Sequence, residues 1–259
     1  MKTAKRIIIQ YSEVGETMRK RDRDIIDSLV QFRALSRDQV AELFFSHTKK
    51  PVTNANFALK RLRDRGLIEA YTKTQPYTYF PKPCRIKKDG QKVNHFVAIA
   101  DFYLQLKRAG GELKFFHVEP GYTNYVRPDI CVSWKDAVFF VEIQCSHYTQ
   151  EMMDDKMKRY REYFKSDEWK DLRFQRENSA FPNIWIVADH TYKIEKKQGM
   201  RVLQTKDVKE MELISAEAKG KHVRKAETIP KTKPVPVSTP VIKTANDGVI
   251  RFEIGARGI

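Results

Sequence analysis

From Thr17 to Arg33 the apolar residues Ile25, Ile26, Leu29 and Phe32 recur at helical spacing among charges, which predicts an amphipathic helix. Ser36, with Gln39 three residues on, has the pattern of a capping box, and Val40, Leu43 and Phe44 give the helix it opens a buried stripe. A third helix starts at Pro51, turns Ala55, Ala58, Leu59 and Leu62 inward, and stops at Gly66. Two short β-patterned runs follow, 67–71 and 77–80, joined by a turn from Lys73 to Pro76.

Beyond a basic loop, residues 95–107 place Phe96, Ile99, Tyr103 and Leu106 on one helical face closed by Gly110-Gly111. Three strand patterns come next (113–118, 126–132 and 137–145), then a charged helix over about 149–165 and a strand at 183–188. Residues 216–243 are rich in lysine and proline and cannot pack a core, so they read as an extended arm, with one strand-like alternation at 249–254. No apolar run, Ala137–Val141 included, exceeds five residues, far short of the ~18–20 residues of a membrane span. The expected architecture is α/β (α+β). A winged helix-turn-helix domain occupies 1–92, a helix–three strands–helix–strand domain 93–215, and a basic Pro-rich tail 216–259.

Charge changes this picture most. Residues 1–92 carry a net charge of +11, residues 93–189 of −2 and residues 190–259 of +7. A basic head and tail around a near-neutral middle point to a polyanionic partner, double-stranded DNA. In a winged helix-turn-helix the third helix enters the major groove. Its outward positions here are Thr53, Asn54, Asn56, Lys60, Arg61 and Arg63, with Lys73, Tyr77 and Lys82 on or beside the wing. Asparagine reads adenine edges, and Lys and Arg hold phosphate or guanine. A protein-binding winged helix is the bland alternative. The scattered Cys84, Cys131 and Cys145 fit reduced thiols, and the first ten residues lack the apolar stretch of a signal peptide. Both point to a cytoplasmic protein with no membrane partner.

The middle region carries the candidate chemistry. Arg127-Pro128-Asp129 opens the second strand of this region, and Glu142-Ile143-Gln144 ends the third, with Glu142 and Gln144 on one side of the sheet. Two carboxylates converging from adjacent strand ends make a hard-oxygen site suited to Mg²⁺ or Mn²⁺, which polarises a phosphodiester and activates water. The bland alternative pairs Asp129 and Glu142 with Arg127 or Lys156. His95 reads as a capping or packing residue, and His147 lies three residues past Gln144.

The pattern Pro128-Asp129 … Glu142-Ile143-Gln144 resembles the PD-(D/E)XK nuclease superfamily, whose αβββαβ core would span roughly 93–190. The resemblance implies Asp129, Glu142, Gln144 and Lys156 as catalytic residues and Asp129 and Glu142 as metal ligands. Gln144 departs from the family's lysine, and Lys156, in Lys156-x-x-x-Tyr160, is the helix residue that would supply the missing charge. An early acidic residue is also implied, with Asp101, Glu112 and Glu119 in competition. The chain further resembles the replication-relaxation proteins of plasmids and integrative elements over about residues 20–165. The shared stretches include Leu35–Phe45, Lys60–Ile68, Asp89-Gly90 before His95, Arg127-Pro128-Asp129, Val141-Glu142 and Lys156-x-x-x-Tyr160. That resemblance implies DNA binding in plasmid replication or mobilisation, alongside replication or transfer proteins. Three functions are therefore expected to compete: a Mg²⁺-dependent endonuclease guided by its winged helix, a non-catalytic recruitment factor, and a transcriptional regulator whose middle domain makes a homodimer or senses a ligand.

Overall fold

The computed structural model describes residues 18–146, 148–175 and 180–214, all within one compact unit. His147, the tail from 216 onward and its strand-like end lie outside the described residues.

The chain begins with α1 (Lys20–Phe32), a two-residue β1 (Leu35–Ser36), α2 (Arg37–Phe45) and α3 (Pro51–Asp64). A hairpin of β2 (Ile68–Tyr71) and β3 (Thr78–Pro81) follows, and β1 pairs with β3 to complete a three-stranded sheet. The capping box is formed: Ser36 Oγ accepts from the Gln39 N–H at 3.2 Å, and Gln39 Oε1 accepts from the Ser36 N–H at 2.9 Å. Ile25, Leu29, Leu59, Leu62 and Phe80 close the space between the helices and this sheet. The turn residue Gly66 has φ +67°, the left-handed backbone that favours glycine.

Next comes α4 (Gln91–Ala109), then β4 (Leu113–Val118), β5 (Ile130–Trp134), β6 (Ala137–Ile143), α5 (Gln150–Ser166), a 3₁₀ turn (Glu168–Asp171), β7 (Asn183–Val187) and β8 (Val202–Thr205). The five strands lie in the order β4-β5-β6-β7-β8, antiparallel through β6 and parallel from β6 to β8. Successive β6 residues alternate between the two faces, as strand geometry requires. Phe139, Val141 and Ile143 join the core shared with α4, while Val138, Phe140 and Glu142 face α5.

The helix–three strands–helix–strand order is the one expected from the sequence, with shifted boundaries. The second strand of this sheet starts at Ile130 rather than Val126, because Pro128 has no N–H to donate to a ladder. The third ends at Ile143 rather than Cys145. Strands β1 and β8 were not expected: one is too short to show alternation, and the other, Val-Leu-Gln-Thr, is half polar.

The head and the large sheet share one core. Phe32 of α1 lies against Tyr103 of α4 (centroids 5.3 Å apart) and Phe116 of β4 (5.9 Å). Gln39 Nε2 donates to the Val97 carbonyl at 2.8 Å and to Asp101 Oδ1 at 2.6 Å, both on α4. Arg108 grips Glu42 with two nitrogens, and Arg33 pairs with Glu119 at 2.7 Å. The boundary expected at residue 92 therefore divides the sequence but not the packing.

This predicts joint unfolding. Phe32→Ala should cost roughly 3–5 kcal/mol, the usual range for truncating a buried aromatic. All three tryptophans (Trp134, Trp169 and Trp185) lie outside the head, so their fluorescence midpoint in urea should move together with helical circular dichroism. A tryptophan midpoint that stays put while helicity is lost earlier would show that the head folds independently.

Candidate functional site

Two places bring chemically competent side chains together. The first is a buried cluster at the end of the large sheet. Glu142 is fully buried, and burial pushes its carboxyl up to about 7 against the pull of Lys156. Both oxygens are engaged: Lys156 Nζ donates to Oε2 at 2.7 Å, and the Tyr160 hydroxyl donates to Oε1 at 2.6 Å. Lys156 and Tyr160 stand one turn apart on α5, whose inward stripe of Met153, Met157, Tyr160 and Tyr163 seats both against β6. Thr149 fixes the start of that helix by accepting from the Met152 N–H at 3.2 Å. Burial would lower the Lys156 ammonium, but the neighbouring Glu142 and Asp129 outweigh it and raise it.

Asp129 lies on the same face of the sheet. Its Oδ2 accepts from the Ile143 N–H at 2.8 Å, and its Oδ1 lies 3.1 Å from His95 Nε2. His95 stands in the first turns of α4, and its Nδ1 lies 3.9 Å from the Cys145 sulfur. The hydrogen bond to Asp129, with a further contribution from Cys145, raises the imidazole to about 10 despite its burial. The cluster therefore matches two acids, Asp129 and Glu142, with two bases, His95 and Lys156.

The structure brings Asp129, Glu142 and Lys156 together and sets Gln144 at the end of β6, where its N–H continues the ladder to the Val187 carbonyl at 2.9 Å. Arg127 is exposed, and the cation on Glu142 is Lys156. None of the early acids engages the cluster: Asp101 accepts from Gln39, Glu112 lies by Lys114, and Glu119 pairs with Arg33. The residue that α4 contributes is His95. The sequence reads it as a capping or packing group, and no local pattern marks it as facing the strand ends.

The donor set does not fit a resident Mg²⁺. That ion needs near-octahedral oxygen coordination and keeps several waters. Here every oxygen of the two carboxyl groups already accepts a hydrogen bond, and Glu142 has no exposed area. Among the described residues no group of three or more His, Cys, Asp or Glu side chains is arranged to hold a metal ion.

The second place is α3 and the hairpin beside it. Thr53, Asn56, Lys60 and Arg63 are exposed, as is Lys73 in the hairpin turn. Asn56, Lys60 and Arg63 line a groove of about 310 Å³ with Arg37, Tyr77 and Tyr79. The other two expected readers fall elsewhere. Asn54 and Arg61 turn toward α1, half-buried, and Arg61 donates to Asp22 through Nη2 at 2.6 Å and Nε at 3.3 Å. Asp22 is 3% exposed, so this guanidinium is committed to a buried carboxylate. Lys82 packs beside Gly66 at the foot of the hairpin.

Residues 82–177 match the family model described as replication-relaxation. The matched segment runs from the end of the hairpin through α4, β4–β6 and α5, so it holds His95, Asp129, Glu142, Lys156 and Tyr160. No curated protein and no solved structure matches the chain. Among the described residues no helix is long and apolar enough to cross a membrane.

Two outcomes test the cluster. Lys156→Met leaves Glu142 buried without its cation and should cost roughly 3–5 kcal/mol, whereas Glu142→Gln combined with Lys156→Met should cost less than the two single changes together. His95 gives a pH signature. Its folded value of about 10 exceeds the ordinary imidazole value of 6.5, so its contribution is full below 6.5 and is lost as pH rises through 10. Urea titrations from pH 6 to 10 should show this decline in the parent protein and a flatter profile in His95→Asn. Parallel profiles would mean that His95 titrates normally.

Proposed function

We propose that this chain is a DNA-binding protein of plasmid or mobile-element replication or mobilisation, acting as a recruitment factor rather than a nuclease. The head supports a winged helix-turn-helix reading: three helices and a hairpin, with α3 turning a mostly polar and cationic face outward. The observation that carries the proposal is the groove between α3 and the hairpin, where Arg37, Lys60 and Arg63 stand beside Asn56, Tyr77 and Tyr79. Lysine and arginine there suit phosphates, and Asn56 suits an adenine edge. The match to the replication-relaxation model supports the biological setting.

The large sheet supports a PD-(D/E)XK-like reading by its element order and by the shared face of Asp129 and Glu142. The same geometry argues for a scaffold. Lys156 and Tyr160 occupy the oxygens of Glu142 that a metal would need, and Ile143 and His95 occupy those of Asp129. Replication or transfer proteins are the partners such a factor would recruit.

Two experiments decide between the readings. With the full chain and duplex DNA, Lys60→Ala and Arg63→Ala should each weaken binding across sequences and reduce the slope of log affinity against log salt by about one. Arg61→Ala should leave that slope unchanged and instead lower stability by roughly 3 kcal/mol, since it strands Asp22. With supercoiled plasmid and Mg²⁺ or Mn²⁺, no nicking above background is expected, and cleavage lost in Glu142→Gln would overturn the scaffold reading.

A further inference from the structure

Helix α3 carries one side chain on its outward face that neither the charge pattern nor the hydrogen-bonding inventory explains. Phe57 is 65% exposed, the most exposed large hydrophobic side chain among the described residues. It stands mid-helix, while Ala55, Ala58, Leu59 and Leu62 on the opposite side are all buried. Thr53, Asn56, Phe57 and Lys60 are all exposed and follow the i, i+3, i+4, i+7 spacing of a single helical face. The phenyl ring therefore sits among the polar residues that would meet the base edges.

We infer that Phe57 is a base-reading residue that packs on the 5-methyl group of thymine in the major groove. This rests on the reading of α3 as the DNA-facing helix. The charge around the ring selects the occupant: Lys60 stands one turn along on the same helical face, and the exposed Arg19 and Arg21 line the pocket that Phe57 borders, so a ligand that covers the phenyl ring must also satisfy cations. An apolar protein surface would bury those charges unpaired. Duplex DNA supplies both complements, because the thymine methyl is an apolar group on an otherwise polar major-groove edge and the phosphates flank it. The ring cannot donate or accept a conventional hydrogen bond, so its information content is the presence or absence of that methyl.

The test replaces thymine by deoxyuridine, which removes only the methyl group. Duplexes that the full chain prefers are selected from a random pool, and each thymine of the selected site is then exchanged in turn. One or two positions should weaken binding about fourfold, the worth of one buried methyl-sized group. In Phe57→Ala the same exchange should change affinity less than twofold. The salt slope should stay at the parent value, and circular dichroism should be unaltered because the ring is exposed. Phe57→Ile, which keeps an apolar tip, should retain most of the penalty for uracil. Binding that is indifferent to every thymine exchange, or equally sensitive in Phe57→Ala, overturns the assignment and leaves DNA binding standing. Absence of any duplex binding by the full chain overturns both.

Discussion

The large sheet is built around a carboxyl group that has no contact with water. Glu142 ends the α5-facing row of β6, next to Phe140 and across from Ile186 of β7, and its exposure is zero. A lone acid in that position would cost several kcal/mol, so its neighbours are constrained. Lys156 must reach one oxygen and Tyr160 the other, which fixes both the rotation of α5 about its axis and its position along β6. The aromatic packing of Tyr160 and Tyr163 on Phe140 then follows, at centroid distances of 6.2 Å for each. The acid thus sets the register between sheet and helix, a role in which a buried polar group offers specificity that apolar packing alone does not.

The helices and most strands were legible because their patterns are strongly periodic. The capping box at Ser36 and Gln39 needed only three residues to be read and is formed as expected. The pairing of Lys156 with Tyr160 on one helical face was equally local, being a matter of i, i+4 spacing. What the sequence concealed was long-range. His95 and Asp129 are 34 residues apart, and nothing in the pattern of residues 91–109 distinguishes a histidine that faces strand ends from one that packs. The same holds for Arg61 and Asp22, 39 residues apart: both looked like surface charges until the α1–α3 crossing brought them together. The expected outward face of α3 was therefore too wide. It included Asn54 and Arg61, which the crossing turns inward, and it left out Phe57, which is exposed.

The arrangement of α3 separates side chains that hold the fold together from cations left at the surface. Its inward apolar row holds the head together, and one flank spends a cation on Asp22 of α1. That leaves Lys60 and Arg63 free of structural duty, since the contacts of Lys60 and Arg63 with Asp64 are exposed and cost little to break. Cations held only by weak surface pairs can be released to a phosphate. A guanidinium that completes a buried ion pair cannot be released without destabilising the fold.

Helix α4 joins these two regimes. A single side chain, Gln39, completes the N-terminal cap of α2 with its oxygen and reaches the Val97 carbonyl and Asp101 of α4 with its nitrogen. Burial raises the Asp101 carboxyl, and the bond from Gln39 works against that rise, so cap and acid depend on each other. The start of α2 is thereby keyed to the middle of α4, while the first turns of α4 carry His95 to Asp129. Because α2 packs directly on α3, any displacement of α3 that moves α2 must also be borne by Gln39 or by α4. The same helix therefore holds the start of α2 through Val97 and Asp101 and the acidic cluster through His95, so the packing runs continuously from the head to the large sheet.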